Sequence, residues 1–164
     1  MYCGHGPYTD LSMNRTTSKD CGPRPFVTCL TREADQNCNF RTTLWTGEHL
    51  QVTLMCLKAG EDIGLEVHPA TDQMLRVEEG CGIARLGGGK ENPECTVKIR
   101  CGDAIMVPAG TWHNIVNTGN CPLKLSSVYA PPAHPRGTVH RTKAEARAGE
   151  GKEAGKDTSA DEGK

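Results

Sequence analysis

A chain of 164 residues with a net charge of −1 supports one domain built round one hydrophobic core. Charge this evenly balanced leaves no electrostatic footprint for nucleic acid or an anionic membrane surface. No apolar run approaches the roughly 18 to 20 residues of a membrane span, so the expectation is a soluble protein with neither membrane nor nucleic-acid partners.

Residues 1–22 are polar and glycine-rich and read as a flexible arm. The opening residues lack the basic and apolar regions of a secretory leader. The nine cysteines are an odd number without C-x-x-C pairs, so they read as reduced thiols in a cytoplasmic protein. Cys3 and His5 could take a metal at a flexible end. The apolar stretch 26–30 reads as a first strand, and 32–38 as a helical turn capped by Thr31. Strand-like runs then follow at 41–45, 49–58, 73–79, 82–86, 96–100, 104–107, 112–116 and 123–129, most of them separated by glycine or proline turns. Many short strands with such punctuation predict an antiparallel sandwich or barrel, with under about a fifth of its residues helical. Residues 130–137 form a proline-stiffened strap. Beyond Lys143 no aliphatic residue is larger than alanine, so 143–164 is expected to be disordered or frayed helix. That leaves 23–142 as the folded body.

Two strings inside this body carry the chemistry. The first runs Gly60, five residues, Glu66, one residue, His68, four residues, Gln73, six residues, Gly80. The second runs Gly102, five residues, Pro108, one residue, Gly110, two residues, His113, three residues, Asn117. On a strand, Glu66 and His68 point to one face while Val67 points to the other. His113, Ile115 and Asn117 likewise share a face. Two imidazoles, one carboxylate and one amide oxygen, from His68, His113, Glu66 and Gln73, then form a donor set suited to a divalent first-row metal such as Mn, Fe, Co, Ni or Zn. Asn117 reads as a turn-stabilising amide, Trp112 as packing outside the pocket and Trp45 as core.

The two strings resemble the paired motifs of the cupin family, G-x5-H-x-H-x3–4-E-x6-G and G-x5-P-x-G-x2-H-x3-N. Glu66 stands where the first motif has its leading histidine, and Gln73 where it has its acidic ligand. The resemblance implies an all-β double-stranded β-helix, the jelly-roll barrel, with a metal inside it. It extends most naturally to small stand-alone cupins likened to mannose-6-phosphate isomerase, and these commonly pair as homodimers. An unpartnered N-terminal strand edge would drive that pairing. A metal there suits an enzyme acting on a small-molecule ligand, a sugar or hydroxy-carbonyl, by isomerase, epimerase or lyase chemistry. The alternatives are a non-catalytic module that binds or senses a small ligand or metal, and a metal-dependent dioxygenase. The reaction needs a general base, for which Glu66, His134 and His140 are the candidates.

Overall fold

The computed structural model describes residues 20–88 and 93–153. The Cys3–His5 pair lies outside them, as do most of the expected arm and residues 154–164 of the tail. Helix α1 (Leu30–Gln36) is followed by β1 (Arg41–Thr46), β2 (Gln51–Leu57), β3 (Asp72–Glu79), β4 (Cys81–Leu86), β5 (Cys95–Arg100), β6 (Ala104–Val107), β7 (His113–Asn117), β8 (Leu123–Ala130) and β9 (Val139–His140). Helix α2 (Lys143–Glu153) closes the described chain. Strands are the dominant element and helix is confined to α1 and α2 among the described residues, as an all-β jelly roll requires. One sheet has the order β6-β3-β8-β2-β1-β9 and faces a second of order β5-β4-β7. Every pairing is antiparallel. No helix among the described residues is long and apolar enough to cross a membrane.

Alternation along the strands sorts side chains to the two faces of the larger sheet. Inward, Met55, Leu57, Leu75, Val77, Leu123 and Leu125 meet Ile115 and Ala84 of the smaller sheet in one buried cluster. Outward, Leu44 and Leu54 pack with Ala34 of α1, helped by Leu30 and Val52. The inward register is apolar at one end only. Leu57 opposes Leu123 and Met55 opposes Leu125, but the next two inward pairs are Thr53 with Ser127 and Gln51 with Tyr129. Gln73 flanks Tyr129 from the other side. The barrel thus has a hydrocarbon floor and a polar upper half, with Thr53, Gln51, Ser127 and Tyr129 all fully buried.

The motif glycines have a backbone reason. Gly60, Gly80, Gly102 and Gly110 all have positive φ. At Gly80, where φ is +88, an added Cβ would also lie 2.8 Å from the Pro122 carbonyl oxygen. A side chain there would meet both conformational strain and a clash.

Several expectations need correction. Residues 26–30 do not form a strand: Pro23 and Pro25 flank the segment, and Val27 is exposed. Leu30 instead begins α1. Thr31 does not cap that helix, whose N-cap is Cys29 without a side-chain bond. Its hydroxyl donates to Glu78 Oε2 at 2.8 Å. The last residues of the expected arm are docked, since Asp20 is buried. Asp20 accepts hydrogen bonds from the backbone of Gly22 and Thr46. Trp45 belongs to neither core cluster. Its indole N–H donates to the Arg24 carbonyl at 2.8 Å and clamps the N-terminal segment. Of the two states expected for the tail, helix is observed over Lys143–Glu153, and Ala146 enters the core cluster. Just past the strap lies a short strand not foreseen, β9, which pairs with β1. None of the eight cysteines among the described residues forms a disulfide.

Candidate metal centre

Glu66 and His68, placed above on one face of a strand, lie on a segment after β2 that forms no regular strand and is held by two isolated bridges, Asp62 to Val116 and Glu66 to His113. The second bridge sets the geometry of the site. Glu66 N donates to His113 O at 3.0 Å and His113 N to Glu66 O at 2.9 Å. Gly110 N donates to His68 O at 2.9 Å, so the proline-glycine turn of the second string is fastened to the first. Asn117 secures the far end as the expected turn amide. Its Nδ2 donates to Leu57 O and Cys121 O, and its Oδ1 accepts from Gly119 N.

These fastenings bring together three of the four predicted ligands. One ligand atom each from Glu66, His68 and His113 lies within 4.8 Å of the others. Glu66 Oε1 is 3.4 Å from His68 Nε2 and 3.2 Å from His113 Nε2. His113 is fully buried, and its Nδ1 lies 3.1 Å from the Thr111 carbonyl oxygen. A carbonyl only accepts, so Nδ1 carries a proton, and in the neutral imidazole Nε2 carries the lone pair. That lone pair has no hydrogen-bond partner. An unprotonated nitrogen at 3.2 Å from a carboxylate oxygen places two acceptors side by side, an arrangement that a shared cation relieves. The residues present therefore fit a divalent ion.

Arg41 was not singled out from the sequence. It is buried, with its guanidinium 3.7 Å from Glu66 Oε2. Burial would raise the Glu66 pKa, and the Arg41 charge 3.7 Å away acts against it, with a net shift well below the usual carboxylate range. Gln73, the fourth predicted ligand, is buried and donates from Nε2 to Ser127 Oγ at 3.0 Å. Its Oε1 has no partner.

The rim is aromatic. The Tyr129 ring meets the His68 ring edge-on at 5.5 Å and the His134 ring at 5.1 Å. His134 is placed there by Gln51, whose Nε2 donates to His134 O and whose Oε1 accepts from His134 N. Burial and the Arg41 charge lower the His134 pKa to about 3, so its ring is neutral at physiological pH. Burial and the Glu66 charge push the Tyr129 phenol up to about 12 against the pull of Arg41. His140 lies on β9 opposite Arg41. Its Nε2 is 3.2 Å from where a Cβ on Gly149 of α2 would sit. His134 thus approaches the ligand cluster through Tyr129, while His140 is turned to the helix.

Arg41, Thr53, Gln51 and Tyr129 escaped the sequence reading because no motif names them. The available signal was polar residues recurring at inward positions, as in Gln51-x-Thr53 and Ser127-x-Tyr129. A cleft of about 510 Å³ on the outer face is lined by Cys29, Thr31, Arg32, Asp35, Glu78 and Glu79. Its buried carboxylate, Glu78, is already bonded by Ser126, Thr31 and Arg76.

A family model described as a cupin domain matches residues 53–129. The uncharacterized protein YrkC of Bacillus subtilis is 59% identical over 132 residues, which are 80% of this chain and 71% of that one. The uncharacterized protein L612 of Acanthamoeba polyphaga mimivirus is 39% identical over 115 residues, 70% of each chain. The crystal structure of BH2720 from Bacillus halodurans superposes with a TM-score of 0.78 at 58% identity, covering 79% of this chain and 98% of that one.

Proposed function

The chain belongs to the cupin family, and from that premise we propose that it is a metal-dependent enzyme acting on a small polar metabolite. Glu66, His68 and His113 would hold one divalent first-row ion, with Gln73 Oε1 as a neutral fourth oxygen. The observation that carries this reading is the buried, partnerless lone pair of His113 Nε2 beside the Glu66 carboxylate. A divalent ion on three or four protein ligands would leave open positions and supply polarisation of a substrate carbonyl, which suits isomerase, epimerase or lyase chemistry on a hydroxy-carbonyl compound.

The protein's own groups do the rest. The Thr111 carbonyl fixes the His113 tautomer, and Arg41 keeps Glu66 ionised. The Gln51 fork holds the strap so that His134 and Tyr129 wall the site. As a neutral imidazole, His134 offers a proton-accepting lone pair at that wall, while Glu66 is the candidate base within the ligand set. His140, turned towards α2, is the more remote candidate.

Elemental analysis tests the reading directly. Wild type is expected to take up close to one ion per chain, and the His68→Ala/His113→Ala double variant close to none. Equal metal in both proteins would place the site elsewhere. A second reading rests on the ligand types: two imidazoles and one carboxylate with open positions are also the donor set of non-haem iron oxygenases. Oxygen uptake by the Fe(II)-loaded protein with candidate substrates would favour it. We also propose a homodimer. Among the described residues no strand precedes β1, so the open edges at β5 and β6 take that role, and a purely monomeric light-scattering mass at micromolar concentration would refute it.

A further inference from the structure

A row of apolar side chains crosses the outward face of the larger sheet. Met106 of β6 opposes Met74 of β3, and Met74 opposes Val128 of β8. Val128 in turn opposes Val52 of β2, and Val52 opposes Trp45 of β1. Their strand neighbours Ile105, Leu75, Ser127 and Thr53 are buried on the inward side, so the row points out. Leu30 of α1 packs with Val52 at the β1–β2 end. Towards the β6 edge the row is open: Met74 and Val128 are half-buried, and Met106 is 65% exposed.

The smaller sheet shows a solvated face in the same molecule. Its outward positions alternate with the buried Gly82, Ala84 and Ile99, and include the exposed Arg85, Thr96, Lys98 and Arg100. Such alternation is usual where one side of an antiparallel sheet meets water. A contiguous apolar row on the outside marks a face that another surface covers.

Charge beside the row says which surface. Asp72 and Arg76 flank Met74 on the same side of β3, two residues before it and two after. Asp72 is exposed, with one carboxylate oxygen accepting from Ala109 N. Arg76 donates to Glu78, yet 41% of its side chain remains exposed. Opposite charges placed evenly about an apolar centre make a surface that complements itself. If a second copy is turned over about the line of the row, Asp72 of each copy meets Arg76 of the other, while Met74 and Met106 meet their own mates. Helix α1 lies over Leu44 and Leu54, on the Arg76 side of the row, so the two helices fall on opposite sides of that axis.

We propose that this row is the contact surface of a two-fold homodimer, with the larger sheets face to face and the β3 strands of the two copies antiparallel. Methionine and aromatic side chains suit the centre of such a contact. The inference rests on the homodimer reading above and carries the contact from the β6 edge onto the face beside it.

Sedimentation velocity on the full chain at micromolar concentration tests it, with thermal melts to show that each variant is folded. Wild type is expected to be a dimer. Met106→Glu and Met106→Lys, at an exposed position, should each raise the dissociation constant roughly a hundredfold, because two like charges then face each other across the axis. Mixed one to one, the two variants should pair again, as an interface that sets Met106 against Met106 requires. Asp72→Arg should weaken the dimer about tenfold, and Lys98→Glu, on the outward face of the smaller sheet, should leave it unchanged. A wild-type dimer that survives both Met106 variants overturns this face and leaves the homodimer reading standing. Met106 variants that stay apart when mixed overturn the two-fold arrangement, and unchanged affinity in Asp72→Arg overturns the Asp72–Arg76 pairing. A Lys98 variant as weak as the Met106 variants overturns the assignment to this sheet. A monomeric wild type removes both readings.

Discussion

Two largely buried glutamates, one on the outer face of the larger sheet and one on the segment bridged to β7 inside the barrel, have surroundings that differ in kind. Glu78, on the outer face at the β3 bulge, accepts from Ser126 Oγ at 2.6 Å, from Thr31 Oγ1 at 2.8 Å and from the Arg76 guanidinium. Burial alone would raise its pKa, but these bonds outweigh it and lower it. Every oxygen is committed, and the result is a rivet between α1 and the sheet. Glu66, on the inner side, is also held ionised, yet its neighbours include a histidine nitrogen that cannot donate to it. One carboxylate is saturated by protein, and the other is assembled with groups that satisfy one another only when a further ion joins them. A buried charge is thus structural or functional according to what its partners still lack, since depth alone does not distinguish the two.

The largest expected effect breaks the rivet. Glu78→Ala should cost roughly 2–4 kcal/mol, because it strands the hydroxyls of Ser126 and Thr31 and the Arg76 charge. Its gain in stability on adding metal should nevertheless match wild type, about 2.7 kcal/mol at a hundred times Kd. Glu66→Gln should show the reverse, with most of that gain lost. Denaturant melts with and without Mn(II) measure all four values. A Glu78 variant that lost the metal increment would erase the distinction between the two sites.

The same contrast explains what was legible in the sequence. The eight principal strands could be read to within about two residues of their ends, because inward-outward alternation and glycine turns are local signals. Glu66, His68 and His113 were legible because their spacing matches a known pair of motifs. Glu78 was not, because its partners Thr31 and Ser126 lie 47 and 48 residues away and meet it only across the folded sheet. Arg41 was hidden for the same reason. The stretch 26–30 misled because its apolar composition suits a strand, whereas Leu30 uses it on a helix face against Leu44 and Leu54.

A smaller effect concerns Gln73, which stands between the two types of residue. One end of its amide is committed to Ser127 and the other is not. Gln73→Glu should tighten Mn(II) binding by about tenfold, or about 1.4 kcal/mol, because a carboxylate gives the ion more charge than an amide does. Unchanged or weaker binding with a lower melting point would make Gln73 a structural residue like Glu78, since the variant would then bury an unpaired carboxylate.

The smallest effect is a pH slope from His134, a half-buried residue whose ring Nε2 is itself buried and lacks a partner. Its pKa in the folded protein is lowered to about 3 from an ordinary value of 6.5. Between those values the unfolded chain binds a proton that the folded chain does not, so stability rises with pH across that window and is lost as pH falls below 6.5. From pH 7 to pH 6 the loss from this one residue should be about 0.7 kcal/mol. It would stop growing near pH 3, where the folded form also takes up the proton. Measured on metal-free protein, so that the metal ligands do not contribute through binding, the slope should flatten by that amount in His134→Gln, whose backbone bonds to Gln51 are retained. Parallel pH profiles for wild type and variant would mean that the His134 ring reaches water and titrates normally. In that case the strap would not wall the site, and the polar half of the barrel would be open where the comparison with Glu78 treats it as closed.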